Sequence, residues 1–251
     1  MKARYKYCLC SAFCDLGYFE QCLESGIRAL NLLGDDDDRS PSTIRVGTAM
    51  AILYLNDTFG GCWYGQTRHS ASDAPEEFLR VKILVCCHIA ASALFKGKLA
   101  LYCTIRAVNI GSRLEIWTRG DDSKEAEEEE GRERGLTARA LEERHERQET
   151  TVMVALAYAS LSFLLRLTGV TSSSDMCLAK SFELTSGSQF LTDQWRLHTA
   201  QGLALFAAGS FRRCRDVFAH ACKDAYEVGS MNYYLIMVSL EEGGEGEKAR
   251  E

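Results

Sequence analysis

Cysteine and histidine are the side chains of this sequence with the most chemistry to offer. Eleven cysteines are present, set closest together at Cys8, Cys10 and Cys14 and at Cys86-Cys87. No C-x-x-C pair occurs, so neither the usual spacing of a zinc site nor a dithiol redox motif is present. A metal site built from Cys10, Cys14 and a histidine is one option. Scattered cysteines serve more often as small, reduced, buried apolar side chains, and that reading is adopted. No cofactor and no metal are expected. The five histidines, His69, His88, His145, His198 and His220, are dispersed. Only His198 and His220 fall on neighbouring helical stretches where they can meet. The run Asp35–Asp38 concentrates carboxylates but lacks the glycine and distal glutamate of a calcium loop, so it reads as solvated. The patterns G-x-x-x-x-G-K-[ST], G-x-S-x-G and H-E-x-x-H are all absent. No catalytic residues are expected; an all-helical enzyme using the cysteine and histidine set is the weakest reading.

The elements that would position any site are helical. With 46% hydrophobic and 25% charged residues and only 2 prolines, the chain of 251 residues can run long helices around an ordinary core. A net charge of −6 without a cluster of Lys and Arg argues against a nucleic-acid surface. The N-terminus MKARYKYCLC has no apolar core of a secretory signal, so a cytoplasmic location is expected. Val81–Phe95 and Val152–Leu165 are apolar but short for a bilayer, and no membrane span is expected.

Trp195–Gly229 shows the organising pattern most clearly. Gly202, Leu205 and Ala208 recur at helical spacing, then Phe211, Cys214, Phe218 and Ala221 after a hinge at Ala208-Gly209-Ser210. Small and large residues alternate as in two close antiparallel helices, with Cys214 expected opposite Gly202. The unit, with its turn Gly209-Ser210-Phe211, resembles a tetratricopeptide repeat, and the resemblance implies stacked copies. Residues 3–34 give a first unit, with Tyr5, Leu9 and Phe13 on one face and a turn at Gly17. Ile44–Leu55 opens a second, capped by Ser40, whose other half (within 41–75) is degenerate or a loop. Phe78–Phe95 and Leu99–Ile110 make a third, turning at Gly97. Ile27-Arg28-Ala29-Leu30-Asn31-Leu32 returns as Ile105-Arg106-Ala107-Val108-Asn109-Ile110, 78 residues on, or two repeats of about 39. Arg106 and Asn109 read as helix-end residues. Residues 119–149 are a charge-dense, low-complexity insertion read as disordered, with helix from Leu136 onward. Another pair turns at Gly169 and runs to Gly187. Met231–Leu240 and Gly244–Ala249 begin a last unit that stops half complete, as a fragment would. The expected fold is all-α, a right-handed α-solenoid of tetratricopeptide-like hairpins. Its parts are repeats over 1–118, the insertion over 119–149 and repeats over 150–251.

Several stretches carry a wider resemblance: LESGIRALNLLG, ALFKGKLALYCTIRAVNIGSR, AYASLSFLLRLTGV and WRLHTAQGLALFAAGSF. Together they resemble the C-terminal helical-repeat region of large signalling proteins. Those proteins join a class III nucleotide cyclase or a protein kinase to an AAA-type ATPase module. The resemblance implies a non-catalytic, protein-binding scaffold, a regulatory or sensory arm whose partner is another protein or a domain of the same parent. A small-molecule-sensing helical-repeat domain is the alternative. Register from the turn glycines puts Arg4, Tyr7, Leu156, Phe163, Arg166, Arg196, Thr199, Leu203 and Phe206 on the partner groove.

Overall fold

The computed structural model describes residues 2–35, 41–58, 74–129, 138–185 and 194–227, and every regular element among them is an α-helix. They are α1 (Lys2–Asp15), α2 (Phe19–Leu32), α3 (Thr43–Thr58), α4 (Ala74–Ala93), α5 (Gly97–Glu129), α6 (Ala138–Leu167), α7 (Thr171–Thr185), α8 (Gln194–Ala207) and α9 (Phe211–Glu227). The fold class is all-α. The chain forms two compact units, residues 1–150 and 151–251. Asp36–Asp38, the second half of the degenerate repeat, Gly187 and everything from residue 228 on lie outside the described residues.

Among the described residues, the reversals after α1, α4, α6 and α8 share one backbone device. After α1, Tyr18 N donates to Phe13 O at 2.8 Å and Gly17 N to Cys14 O at 3.2 Å, with Gly17 at φ +76°. The Tyr18 and Phe13 rings meet edge to face across this turn, 6.4 Å between centroids. This is a Schellman ending, which satisfies orphan carbonyls and seals the turn with an apolar contact. Val170→Leu165 and Ser210→Leu205 bonds repeat it, with Gly169 and Gly209 at φ +82° and +75°. Between α4 and α5 the expected turn glycine, Gly97, is instead the first residue of α5. There the left-handed position is Phe95, φ +56°, and Lys96 N closes the motif on Ala91 O at 2.8 Å. The hydrogen-bond pattern dictates the turn, and a glycine two residues late does not move it.

In the first unit α1 packs on α2, α4 packs on α1, α2 and α5, and α3 lies on α5. The face that α1 buries is Cys10 and Cys14; Tyr5 is exposed and Leu9 and Phe13 are half-buried, so the aromatic stripe is not the packing face. The repeated hexapeptide buries the same positions twice: Ile27, Ala29 and Leu30 in α2, Ile105, Ala107 and Val108 in α5. Its polar members diverge. Arg28 pairs with Glu24 on the surface, whereas Arg106 pairs with Asp35 at 3.0 Å, and Asn109 donates to Ala49 O at 3.2 Å. Neither Arg106 nor Asn109 ends a helix, because α5 continues to Glu129. Asp35 is likewise no solvated loop residue. It faces Arg106 and, at 3.8 Å, Arg80, which also caps Leu33 O at the end of α2. Helix α3 is capped by Ser42, its Oγ accepting from Arg45 N at 3.2 Å, while Ser40 lies outside the described residues.

Within the charged insertion α5 covers residues 119–129 and α6 starts at Ala138, with residues 130–137 outside the described residues. Glu, Lys, Arg and Ala are strong helix formers, so a composition too polar to be buried still suits a helix. At its end Glu149 pairs with the buried Lys82 of α4 at 2.7 Å. Continuity of α6 also makes His145–Leu167 long and apolar enough to cross a membrane by length and composition, although most of it is buried in the fold.

In the second unit α8 and α9 form the expected hairpin. Gly202 faces Phe218: a Cβ there would stand 2.6 Å from the ring. Cys214 sits instead with Leu178, Ala204 and Leu205, against which Phe163, Phe182, Val217 and Phe218 pack. Phe211, expected inside, is 63% exposed. A polar seam runs from α6 through α7 to α8. Ser162 and Ser174 hydroxyls lie 3.0 Å apart, Ser174 donates to Ser162 O at 2.9 Å, and Gln201 Nε2 donates to Ser181 Oγ at 3.0 Å. All four side chains are buried.

Candidate functional surface and histidine cavity

The proposed groove residues divide between the two units, Arg4 and Tyr7 in the first and the other seven in the second. Arg4 is exposed and reaches Glu146 at 3.5 Å; Tyr7 is half-buried. Leu156 is 3% exposed and belongs to the interior of α6, so it presents no surface. Arg196 is only 8% exposed, its guanidinium 5.1 Å from the Trp195 ring centroid, and it too leaves the groove. Both misplacements have one cause. Helices α6 and α8 are buried on more than one side, so register from a turn glycine cannot separate core from groove. Phe163 packs on the core around Cys214, and Arg166 pairs with Asp175. Thr199 returns its hydroxyl to Trp195 O at 2.7 Å.

Leu203 and Phe206 remain at the surface, 37% and 57% exposed. Phe206 meets Phe211 edge to face across the Gly209 turn, centroids 5.6 Å apart. The result is an aromatic edge at the tip of the α8–α9 hairpin. On α9, Phe211 and Arg215 lie one turn apart with Arg212 and Arg213 between them, all exposed. The Arg213 guanidinium covers Phe182 at 5.6 Å, and Arg215 reaches Asp216 at 3.5 Å. The acidic net charge hid this basic flank at the level of composition. The segment FRRCRD carries it openly.

The second unit also holds a cavity of about 300 Å³ lined by Val152, Thr185, Gln194, Leu197, His198 and His220. Helix α8 supplies His198 and α9 supplies His220, and the rings stand 6.0 Å apart, so the two histidines do meet. Asp224 of α9, one turn beyond His220, lies 2.7 Å from His198 Nδ1. A carboxylate in that position holds the ring's orientation. Among the described lining residues the one hydroxyl, that of Thr185, is engaged with the Ser181 and Phe182 carbonyls, both at 3.1 Å. Among the described residues no three His, Cys, Asp or Glu side chains are grouped to hold a metal ion. The cavity is suited to polar binding.

In comparisons with protein-family models, curated proteins and solved structures, the chain matches none.

Proposed function

We propose that this chain is a non-catalytic, protein-binding helical scaffold. In this reading its hairpins stack as a right-handed, tetratricopeptide-like solenoid, and it is the regulatory or sensory arm of a cytoplasmic signalling protein with a cyclase or ATPase module. The observation that carries the binding role is the aromatic edge of Leu203, Phe206 and Phe211 beside Arg212, Arg213 and Arg215. Exposed large apolar side chains next to basic ones suit an amphipathic acidic peptide with one or two bulky anchors. Anchors would supply most of the affinity, and the arginines the approach and the orientation.

A peptide-display selection on the full-length chain tests this. Enriched peptides should combine Asp or Glu with Phe, Leu or Trp, and binding followed by fluorescence anisotropy should weaken with added salt. Leu203→Ser with Phe206→Ser should weaken it at least ~10-fold, the loss of about 1.4 kcal/mol at an anchor. Neutral peptides indifferent to both changes would remove the reading. The cavity between His198 and His220 favours a second reading, a sensor of a small polar ligand. Its volume sits at the lower end of ligand pockets, which start at about 300 Å³.

A further inference from the structure

The packing of α1, α2 and α4 brings together thiols that are far apart in sequence. Cys10 and Cys14 come from α1, Cys22 from α2, and Cys86 and Cys87 from α4, and all are buried. Cys10 Sγ and Cys22 Sγ stand 3.5 Å apart, and Cys22 Sγ reaches Cys86 O at 3.7 Å. Gly26 is what lets the sulfurs in. A Cβ at that position would lie 2.4 Å from Cys87 Sγ and 3.1 Å from Cys10 Sγ. We propose that Cys10 and Cys22 are an oxidisable pair that a hydroperoxide converts to a disulfide, stapling the N-terminal helix α1 to α2.

The separation is the main argument. A disulfide needs sulfurs at about 2.05 Å, so the gap closes by small side-chain rotations across an existing helix contact. The thiols are not equivalent: Cys10 is drawn to low pKa because it accepts from Cys22, Cys86 and Cys87, whereas Cys22 is raised by Cys10 and Cys14 and by burial. Cys10 rides on α1, the helix at the edge of the cluster, and is the thiol that meets the peroxide when α1 opens. Its sulfur takes the terminal peroxide oxygen, an S–O bond forms as the O–O bond breaks, and the alcohol leaves with a proton. Cys22 sulfur then displaces that oxygen as water, so the two thiols give two electrons and the peroxide accepts them. Access comes through α1 itself, the N-terminal helix, of whose described residues only Cys10 and Cys14 are fully buried.

The experiment uses the full chain, reduced, freed of reductant and exposed to tert-butyl hydroperoxide. Remaining thiols are alkylated in denaturant, and cleavage before Asp15 separates Cys8, Cys10 and Cys14 from Cys22 ahead of mass spectrometry. The expected product is one bridge between these two segments. It should persist in Cys14→Ser and Cys8→Ser and vanish in Cys10→Ser, with Cys22→Ala as the reciprocal variant and circular dichroism confirming that each is folded. In the oxidised wild type, α1 amides should exchange more slowly than in the reduced chain. A bridge that survives in Cys10→Ser, one that runs to Cys86 or Cys87, or full alkylation after exposure would each overturn the proposal.

Discussion

At the scale of the residue, Phe95 is where sequence and backbone disagree most. It holds the left-handed position that glycine takes after α1, α6 and α8, and it is 96% exposed. An L-residue there costs roughly 1–2 kcal/mol, and a side chain in solvent returns little of that. Phe95→Gly should therefore raise stability by about 1 kcal/mol in urea unfolding, after the added freedom of the unfolded chain is set against the relieved strain. Gly209→Ala should move the other way by a similar ~1 kcal/mol, since a Cβ at Gly209 meets nothing within 4 Å and only the backbone term changes. Should Phe95→Gly lower stability, the exposed ring is making a contact that matters more than its dihedral.

At the scale of the element, the α8–α9 hairpin depends on the fit of Phe218 over Gly202. Gly202→Ala forces a methyl group into that ring, and overpacking of this kind costs about 1–3 kcal/mol. Cys214→Leu should cost the same order, ~1–3 kcal/mol, but through the cluster with Leu178, Ala204 and Leu205 rather than through the Phe218–Gly202 contact. Combined, the two losses should add only in part, because Phe218 belongs to both neighbourhoods. Full additivity on urea unfolding would show that they are separate. Much of this level was legible in the sequence: helical periodicity, the turns at Gly17, Gly169 and Gly209, and the recurring hexapeptide. Facing partners were not. Spacing says that Gly202 and Cys214 lie on inner faces, but which large side chain covers the glycine depends on helix crossing and rotamer. The same limit hid the thiol cluster and the ion pairs of Asp35, whose members meet only when helices pack. It also placed Leu156 and Arg196 on a surface that the packing removes.

At the scale of the molecule, protons enter the energetics through His88. The ring is buried, close to Thr104 Oγ1 at 2.6 Å and Ala100 O at 3.2 Å, and Thr104 donates to the same carbonyl. With that hydroxyl proton committed, Nδ1–H is the donor and the imidazole is neutral. Burial lowers its pKa from 6.5 to about 4, partly offset by the bond to Ala100. The unfolded chain therefore binds the proton first as pH falls. The stability this residue supplies is full above about pH 6.5 and is lost on the way down to about pH 4, some 3 kcal/mol in all. Urea unfolding between pH 7.5 and 4.5 should show a steeper decline for wild type than for His88→Gln; parallel declines would sink the assignment. The polar seam of Ser162, Ser174, Ser181 and Gln201 acts on the same scale but on choice rather than on strength. Helices lined with small residues can slide past one another by a turn at little cost in apolar contact. A slide here would strand buried hydroxyls and an amide without partners, at about 1–3 kcal/mol each. The seam thus works as a vernier: it adds little to the depth of the native state, and it raises every neighbouring alignment above it.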